Sequence, residues 1–214
     1  MTKLLLILLG VIGGFLFLVL VVLKVVVRVA AKLGKSAPCP PGLNWILDNP
    51  YRRQYAPLIL ERVGISPGER VLELGTGPGL FSVRAARLLE PEGQLVSVDI
   101  QPEMIAAVEK NVREAALTNV KTHVAGAYEL PLDSESVDRA FLITVLAEIP
   151  DQNRALKELR RVIKSGGILS ITEEFPDPDY PFAFETIRRV EPNGFKLESR
   201  LGNFWLYTLN FKKV

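Results

Sequence analysis

With 26 lysines and arginines against 24 aspartates and glutamates in 214 residues, the chain carries a formal net charge of only +2, which excludes the concentrated basic face of a dedicated nucleic-acid binder. Its single cysteine, Cys39, excludes an internal disulfide and any thiol cluster for metal or arsenic chemistry. About 180 residues remain beyond an apolar N-terminus, enough for one buried core, and no internal repeat or low-complexity tract interrupts them.

From Leu4 to Leu23 no side chain is charged or strongly polar. As a helix this run is roughly 30 Å long, the thickness of a bilayer's hydrocarbon. A cleaved signal peptide has a shorter apolar core and then a small-residue cleavage site, whereas this run passes into Lys24, Val25, Val26, Val27 and Arg28. Residues 1–33 therefore read as a single-pass transmembrane anchor with a basic flank. Lys24, Arg28, Lys32 and Lys35 crowd its C-terminal side while only Lys3 and the amino terminus lie on the other, so the positive-inside bias places everything downstream in the cytoplasm. Residues 34–42 hold Pro38, Pro40 and Pro41 and read as a short stiff linker, and residues 43–214 as one domain.

The domain opens with Trp45, Tyr51, Arg52, Arg53 and Tyr55, a mixture of aromatic rings and guanidiniums. Such side chains settle at a headgroup boundary or beside an anionic ligand, and they equally suit a covering helix packed on the domain. Both readings stay open, and they are compatible.

Next comes an apolar strand, Val71-Leu72-Glu73-Leu74, which delivers the chain to Gly75-Thr76-Gly77-Pro78-Gly79 and then to a helix start at Leu80-Phe81-Ser82-Val83. Glycine lets the backbone turn sharply and approach a ligand, and a helix N-terminus offers free N–H groups. Twenty residues on from Gly79 a second strand, Leu95-Val96-Ser97-Val98, ends in Asp99, where a carboxylate meets a ribose diol. A dinucleotide loop requires glycine at its sixth place, which here is Leu80, and Glu73 repels a pyrophosphate but suits a cationic ligand. The pattern points to a nucleotide-like cofactor other than NAD.

Farther along, a helix is expected from Pro102 to about Ala116, with Met104, Ile105, Val108 and Val112 on its apolar side. A second is expected from about Asp151 to Lys164, presenting Leu156, Leu159, Val162 and Ile163, with Gly166 as its C-terminal stop. Phe195–Ser199 and Trp205–Phe211 read as two strands joined by a turn at Gly202-Asn203. His123, the only histidine, falls on a presumed third strand and reads as structural.

The stretch from about Pro67 to Glu173 resembles the class I S-adenosylmethionine-dependent methyltransferases, in the type 11 branch that holds quinone and small-lipid methyltransferases. Glu73–Gly79 matches the family's glycine loop and Ser97–Ile105 its second-strand acid and following helix. Leu130-Pro131-Leu132, Ser136-Val137-Asp138 and Ala155–Gly167 then follow in the family's order. The resemblance implies an α/β fold: a doubly wound, mostly parallel, Rossmann-like sheet of seven strands with an antiparallel C-terminal edge, here preceded by one transmembrane helix. It implies S-adenosyl-L-methionine as cofactor, held by Glu73, Gly75, Thr76, Gly77, Gly79, Asp99, Ile100, Gly126, Ala127, Tyr128 and Thr144, and no metal. Two positions depart from the pattern: Gly126 stands where relatives carry an acid for the adenine amino group, and Glu148 where many carry histidine.

Methyl transfer from a sulfonium is a displacement to which an enzyme contributes mainly positioning and water exclusion, with a base needed for a carbon or phenol acceptor. Glu148, Glu173 and Glu174 are the candidate bases, and Trp45, Tyr51, Arg52, Arg53, Tyr55 and Glu173 the candidate substrate contacts. Arg52 and Arg53 are expected to hold an anionic headgroup. A tethered enzyme is best explained by a membrane-associated amphiphile, a lipid or prenylated quinone, as acceptor, with membrane lipids as its surroundings. The alternatives are a soluble small-molecule acceptor with the anchor used only for localisation, and a non-catalytic binding protein of the same fold. Oligomeric state is not legible.

Overall fold

The computed structural model describes residues 2–32 and 47–214, so the proline-rich linker, Cys39 and Trp45 lie outside the described residues. Helix α1 (Thr2–Lys32) contains a stretch of 23 residues, Leu5–Val27, of mean hydropathy 3.2, none of it buried among the described residues. It is long and apolar enough to cross a membrane, and it runs slightly beyond Leu23, through Lys24 to Val27.

Helix α2 (Pro50–Val63) starts where the Asn49 side chain accepts from the Arg52 N–H at 3.0 Å and proline occupies the first turn. It ends at Gly64 in the left-handed conformation, whose N–H bonds to the Leu60 carbonyl. Ala56, Ile59, Leu60 and Val63 recur at helical spacing and are buried. The remaining elements alternate: β1 (Arg70–Leu74), α3 (Ser82–Leu89), β2 (Gln94–Asp99), α4 (Pro102–Glu114), β3 (Val120–Val124), β4 (Val137–Ile143), α5 (Gln152–Val162), β5 (Ile163–Glu174), α6 (Ala183–Val190), β6 (Phe195–Gly202) and β7 (Leu206–Lys213).

The seven strands pair in the order β3-β2-β1-β4-β5-β7-β6. All are parallel except β7, which runs antiparallel to both of its neighbours. This is the expected Rossmann-like sheet with an antiparallel C-terminal edge, and strand periodicity explains its double-sided core. Val71 and Leu95 face α2 and α3, while their neighbours Leu72 and Val96 face the opposite layer, where Leu156, Leu159 and Val162 of α5 pack.

Two expected boundaries move. Helix α4 stops at Glu114, two residues early, because Ala116 has a positive φ of 54°. Helix α5 does not end on Gly166. Its backbone turns extended at Ile163, and Gly166, at φ 75°, lies within β5 in a bulge where pairing jumps from Val137↔Ile163 to Arg139↔Ile168. The glycine serves the strand, as does Gly167, where a Cβ would lie 2.7 Å from the Asp138 carbonyl oxygen.

Candidate active site

Three parallel strands, β1, β2 and β4, end at one cleft, a cavity of about 310 Å³. Gly75 follows β1 directly, its N–H bonded to the Val98 carbonyl at 2.8 Å and its φ at 76°. A Cβ there would come within 2.4 Å of the Val145 side chain, so only glycine lets the β1 and β4 loops close on each other. At Gly79, with φ 86°, a Cβ would stand 3.1 Å from Val108 of α4. The loop's two ends are thus fixed by packing, and its middle, Thr76-Gly77-Pro78, lines the cavity.

Asp99, at the tip of β2, holds that middle. One carboxylate oxygen accepts from the Gly77 N–H at 3.1 Å and the Thr76 hydroxyl at 3.4 Å, and the other from the Gln101 N–H at 3.0 Å. Burial raises its pKa, against the lowering effect of those hydrogen bonds. Ile100 beside it is exposed at the rim. Gly126, Ala127 and Tyr128 form the facing wall, where the Tyr128 hydroxyl accepts from the Asp151 N–H at 2.9 Å and the Arg154 guanidinium stands 4.8 Å from its ring. Beyond β4, Thr144 adopts a positive φ of 56° and donates its N–H to the Thr172 carbonyl, turning Val145 and a short 3₁₀ turn, Leu146–Glu148, over the cavity. Thr144, Val145, Glu148, Ile149 and Pro150 all line it.

Glu73, expected among the cofactor contacts, does not line the cavity. It is buried under the glycine loop, where one oxygen accepts from Ser82 at 2.6 Å and Ser97 at 2.8 Å, tying β1 to β2 and to the start of α3. Burial pushes its pKa up to about 7, with the two serine hydrogen bonds opposing. Gly79 likewise packs behind the loop.

The expected substrate contacts are redistributed. Arg52 does line the cavity, but its charge is spoken for: Nε and Nη2 donate to one Glu174 oxygen at 3.2 and 2.7 Å, and Nη1 donates to the Leu47 carbonyl. Burial opposes the charge, yet the Glu174 carboxylate outweighs it and raises the pKa of Arg52. Tyr55 donates to the other Glu174 oxygen at 2.6 Å, and burial and that bond raise its pKa. Of the two arginines expected to hold an anionic headgroup, Arg52 is engaged with Glu174, and Arg53 forms an exposed two-bond ion pair with Asp48 at 2.6 and 2.7 Å. Tyr51 is exposed and stands edge-on to Tyr55. Glu173 is wholly buried outside the cavity lining, and both its oxygens lack a hydrogen-bond partner among the described residues. Burial, reinforced by Asp177, Asp179, Glu148 and Glu174, raises its pKa well above the usual carboxylate range.

The cavity's apolar walls are Leu47, Phe81, Met104, Ile143 and Val145. Met104 has the helical spacing of a core residue, and the others carry no local signal of a cavity wall. The cradle fits S-adenosylmethionine: backbone approach where a Cβ is forbidden, a carboxylate at the β2 tip for a ribose, and an apolar wall toward β4.

Comparison with known proteins agrees. Residues 65–191 match the family described as methyltransferase domain. The chain is 29% identical over 155 residues to the ubiquinone/menaquinone biosynthesis C-methyltransferase UbiE of a Geobacter species, covering 72% of this chain and 66% of that one. It is 32% identical over 117 residues to an arsenite methyltransferase of Halobacterium salinarum, covering 55% of this chain and 30% of the relative, so it spans less than two thirds of either. Its fold superposes on that of an S-adenosylmethionine-dependent methyltransferase from Aquifex aeolicus with TM-score 0.77 at 23% identity, over 83% of this chain and all of the other.

Proposed function

Because the chain belongs to the class I S-adenosylmethionine-dependent methyltransferases, we propose that it is a membrane-anchored enzyme that methylates a membrane-associated amphiphile, a lipid or a prenylated quinone. The observation that carries this reading is a largely apolar cofactor cleft in a domain led by an unburied helix of 23 apolar-stretch residues. Confinement of enzyme and acceptor to one surface raises their effective concentration. The basic flank after the span puts the domain on the cytoplasmic side. The likeness to a quinone C-methyltransferase supports the quinone half of the reading. A single cysteine speaks against arsenite as acceptor.

The bound cofactor supplies a methyl group on a sulfonium: the acceptor's electron pair forms the new bond to carbon, and the carbon–sulfur pair leaves with sulfur. The glycine loop and Asp99 would hold the cofactor, and the apolar walls would exclude water. Glu148 is the candidate base that remains on the cavity wall, placed to take a proton from a carbon or phenol acceptor. Glu174 is committed to Arg52 and Tyr55, and Glu173 lies outside the lining.

The test is lipid analysis of cells with and without the gene, fed isotopically labelled methionine. A labelled lipid or quinone that depends on the gene supports the reading. Label confined to a water-soluble product would replace it with a soluble acceptor, and purified protein that binds S-adenosylmethionine without forming S-adenosylhomocysteine would make it a binding protein.

A further inference from the structure

One corner of the domain gathers six aromatic rings from three separate segments. Phe175 and Tyr180 lie in the loop after β5, Phe182 and Phe184 flank the start of α6, and Phe204 and Trp205 form the turn between β6 and β7. The rings form a continuous chain: Phe175 to Trp205 at 4.7 Å, Trp205 to Phe204 at 5.6 Å, Phe204 to Phe182 at 6.0 Å and Phe182 to Phe184 at 5.8 Å between centroids. The inner member, Tyr180, is 2% exposed and donates its hydroxyl to the Phe204 carbonyl. The outer members are open: Phe184 is 57% exposed, Phe204 45% and Trp205 59%. Contiguous exposed rings mark a surface that meets something other than water.

The chain itself indicates what covers it. Lys24, three residues before the end of the apolar stretch Leu5–Val27, places its ammonium 4.6 Å from the Phe175 centroid and 5.3 Å from that of Tyr180, and donates to the Asp177 carbonyl. The aromatic corner therefore sits where the apolar helix ends. Arg188 stands one turn after Phe184 on α6, and both are exposed, so a cation shares the ring's helix face. Aromatic rings with a cation alongside are the side chains that occupy a bilayer's headgroup layer. The corner begins immediately after the carboxyl end of β5, the same end of the sheet at which the cleft lies.

We propose that Phe184, Phe204 and Trp205, with Arg188, enter the headgroup layer of an anionic bilayer and form a second membrane contact that holds the cleft end of the sheet toward the lipid. This rests on the reading of α1 as a membrane span. The domain then does not swing freely on its linker, and the acceptor reaches the cleft without crossing bulk water.

The chain has two tryptophans, so the full-length Trp45→Phe protein reports on Trp205 alone. It is reconstituted into phosphatidylcholine–phosphatidylglycerol vesicles with or without lipids brominated near the headgroup end of the acyl chain. The expected result is roughly twofold quenching of Trp205 by the brominated lipid. Adding Phe184→Ser and Arg188→Ser is expected to relieve the quenching while S-adenosylmethionine binding persists, which shows that the fold holds. Equal emission in both vesicles, from protein that resists alkaline carbonate extraction, would overturn the docking surface and leave the anchor standing. Emission that instead depends on protein concentration would assign the corner to a second copy of the chain. Protein released by carbonate would overturn the anchor, and this inference with it.

Discussion

Arg52 and Glu174 meet across 122 residues of sequence, the guanidinium giving two hydrogen bonds to a single carboxylate oxygen while Tyr55 takes the other. The pair is nearly out of contact with solvent and joins α2 to the end of β5 at the cavity's edge. Removal of one partner strands the other charge. Arg52→Ala is expected to destabilise the domain by about 3–5 kcal/mol, and a double Arg52→Met, Glu174→Met variant to recover much of that loss. Thermal unfolding of the solubilised chain decides it. Equal losses in the single and double variants would show that the clasp contributes through packing alone.

Asp99 is the acid best placed to meet a ribose. Its replacement removes hydrogen bonds to a charged acceptor, each about 1.5–3 kcal/mol, so Asp99→Ala is expected to weaken S-adenosylmethionine binding roughly tenfold to a hundredfold in calorimetry. Unchanged affinity would move the cofactor's ribose elsewhere in the cleft.

Gly126 offers a gain of function. A Cβ there meets nothing nearer than Ile100 Cδ1 at 3.9 Å, and the residue does not have a positive φ. Gly126→Asp is therefore expected to fold normally and to tighten cofactor binding by up to about tenfold, through a new acceptor for the adenine amino group. Weaker binding would place the adenine away from the Gly126–Tyr128 wall.

Glu73 gives the domain a pH dependence of definite sign. Its pKa rises from 4.5 in the unfolded chain to about 7 in the fold, so between these values the folded state holds more protons and stability falls as pH rises. The loss amounts to about 3 kcal/mol and levels off above pH 7 for this group. Asp99 and Glu173, also raised, add in the same direction. Unfolding measured from pH 5 to 8 is expected to show the decline, and Glu73→Gln to make it shallower. A slope identical in that variant would falsify the assignment.

What was legible in the sequence was what the backbone enforces locally. The glycine loop and the acid at the β2 tip are short-range demands, and both stand where the spacing put them. The pairing of Arg52 with Glu174 has no local signature, so two adjacent arginines looked alike although one is interior and the other is in surface exchange with Asp48. Glu173 and Glu174, adjacent in sequence, look like a pair of candidate bases. Strand alternation sends them to opposite faces of β5, one to a clasp and the other to an interior that offers it no hydrogen-bond partner among the described residues. Gly166 misled for a related reason, since a glycine after a helical pattern marks a helix end and a strand bulge equally well.

The strand order has a consequence for how the molecule is made. β7, nearest the chain's end, lies inside the sheet between β5 and β6, and β6 touches the rest of the sheet only through it. During synthesis β1 to β5 leave the ribosome while the sheet still lacks this inner member. Until residues 206–213 emerge, β5 shows an open flank and β6 has no seat. A premature stop near residue 203 would thus remove the wedge from an arch rather than trim its margin, leaving β5 and β6 without the strand that joins them.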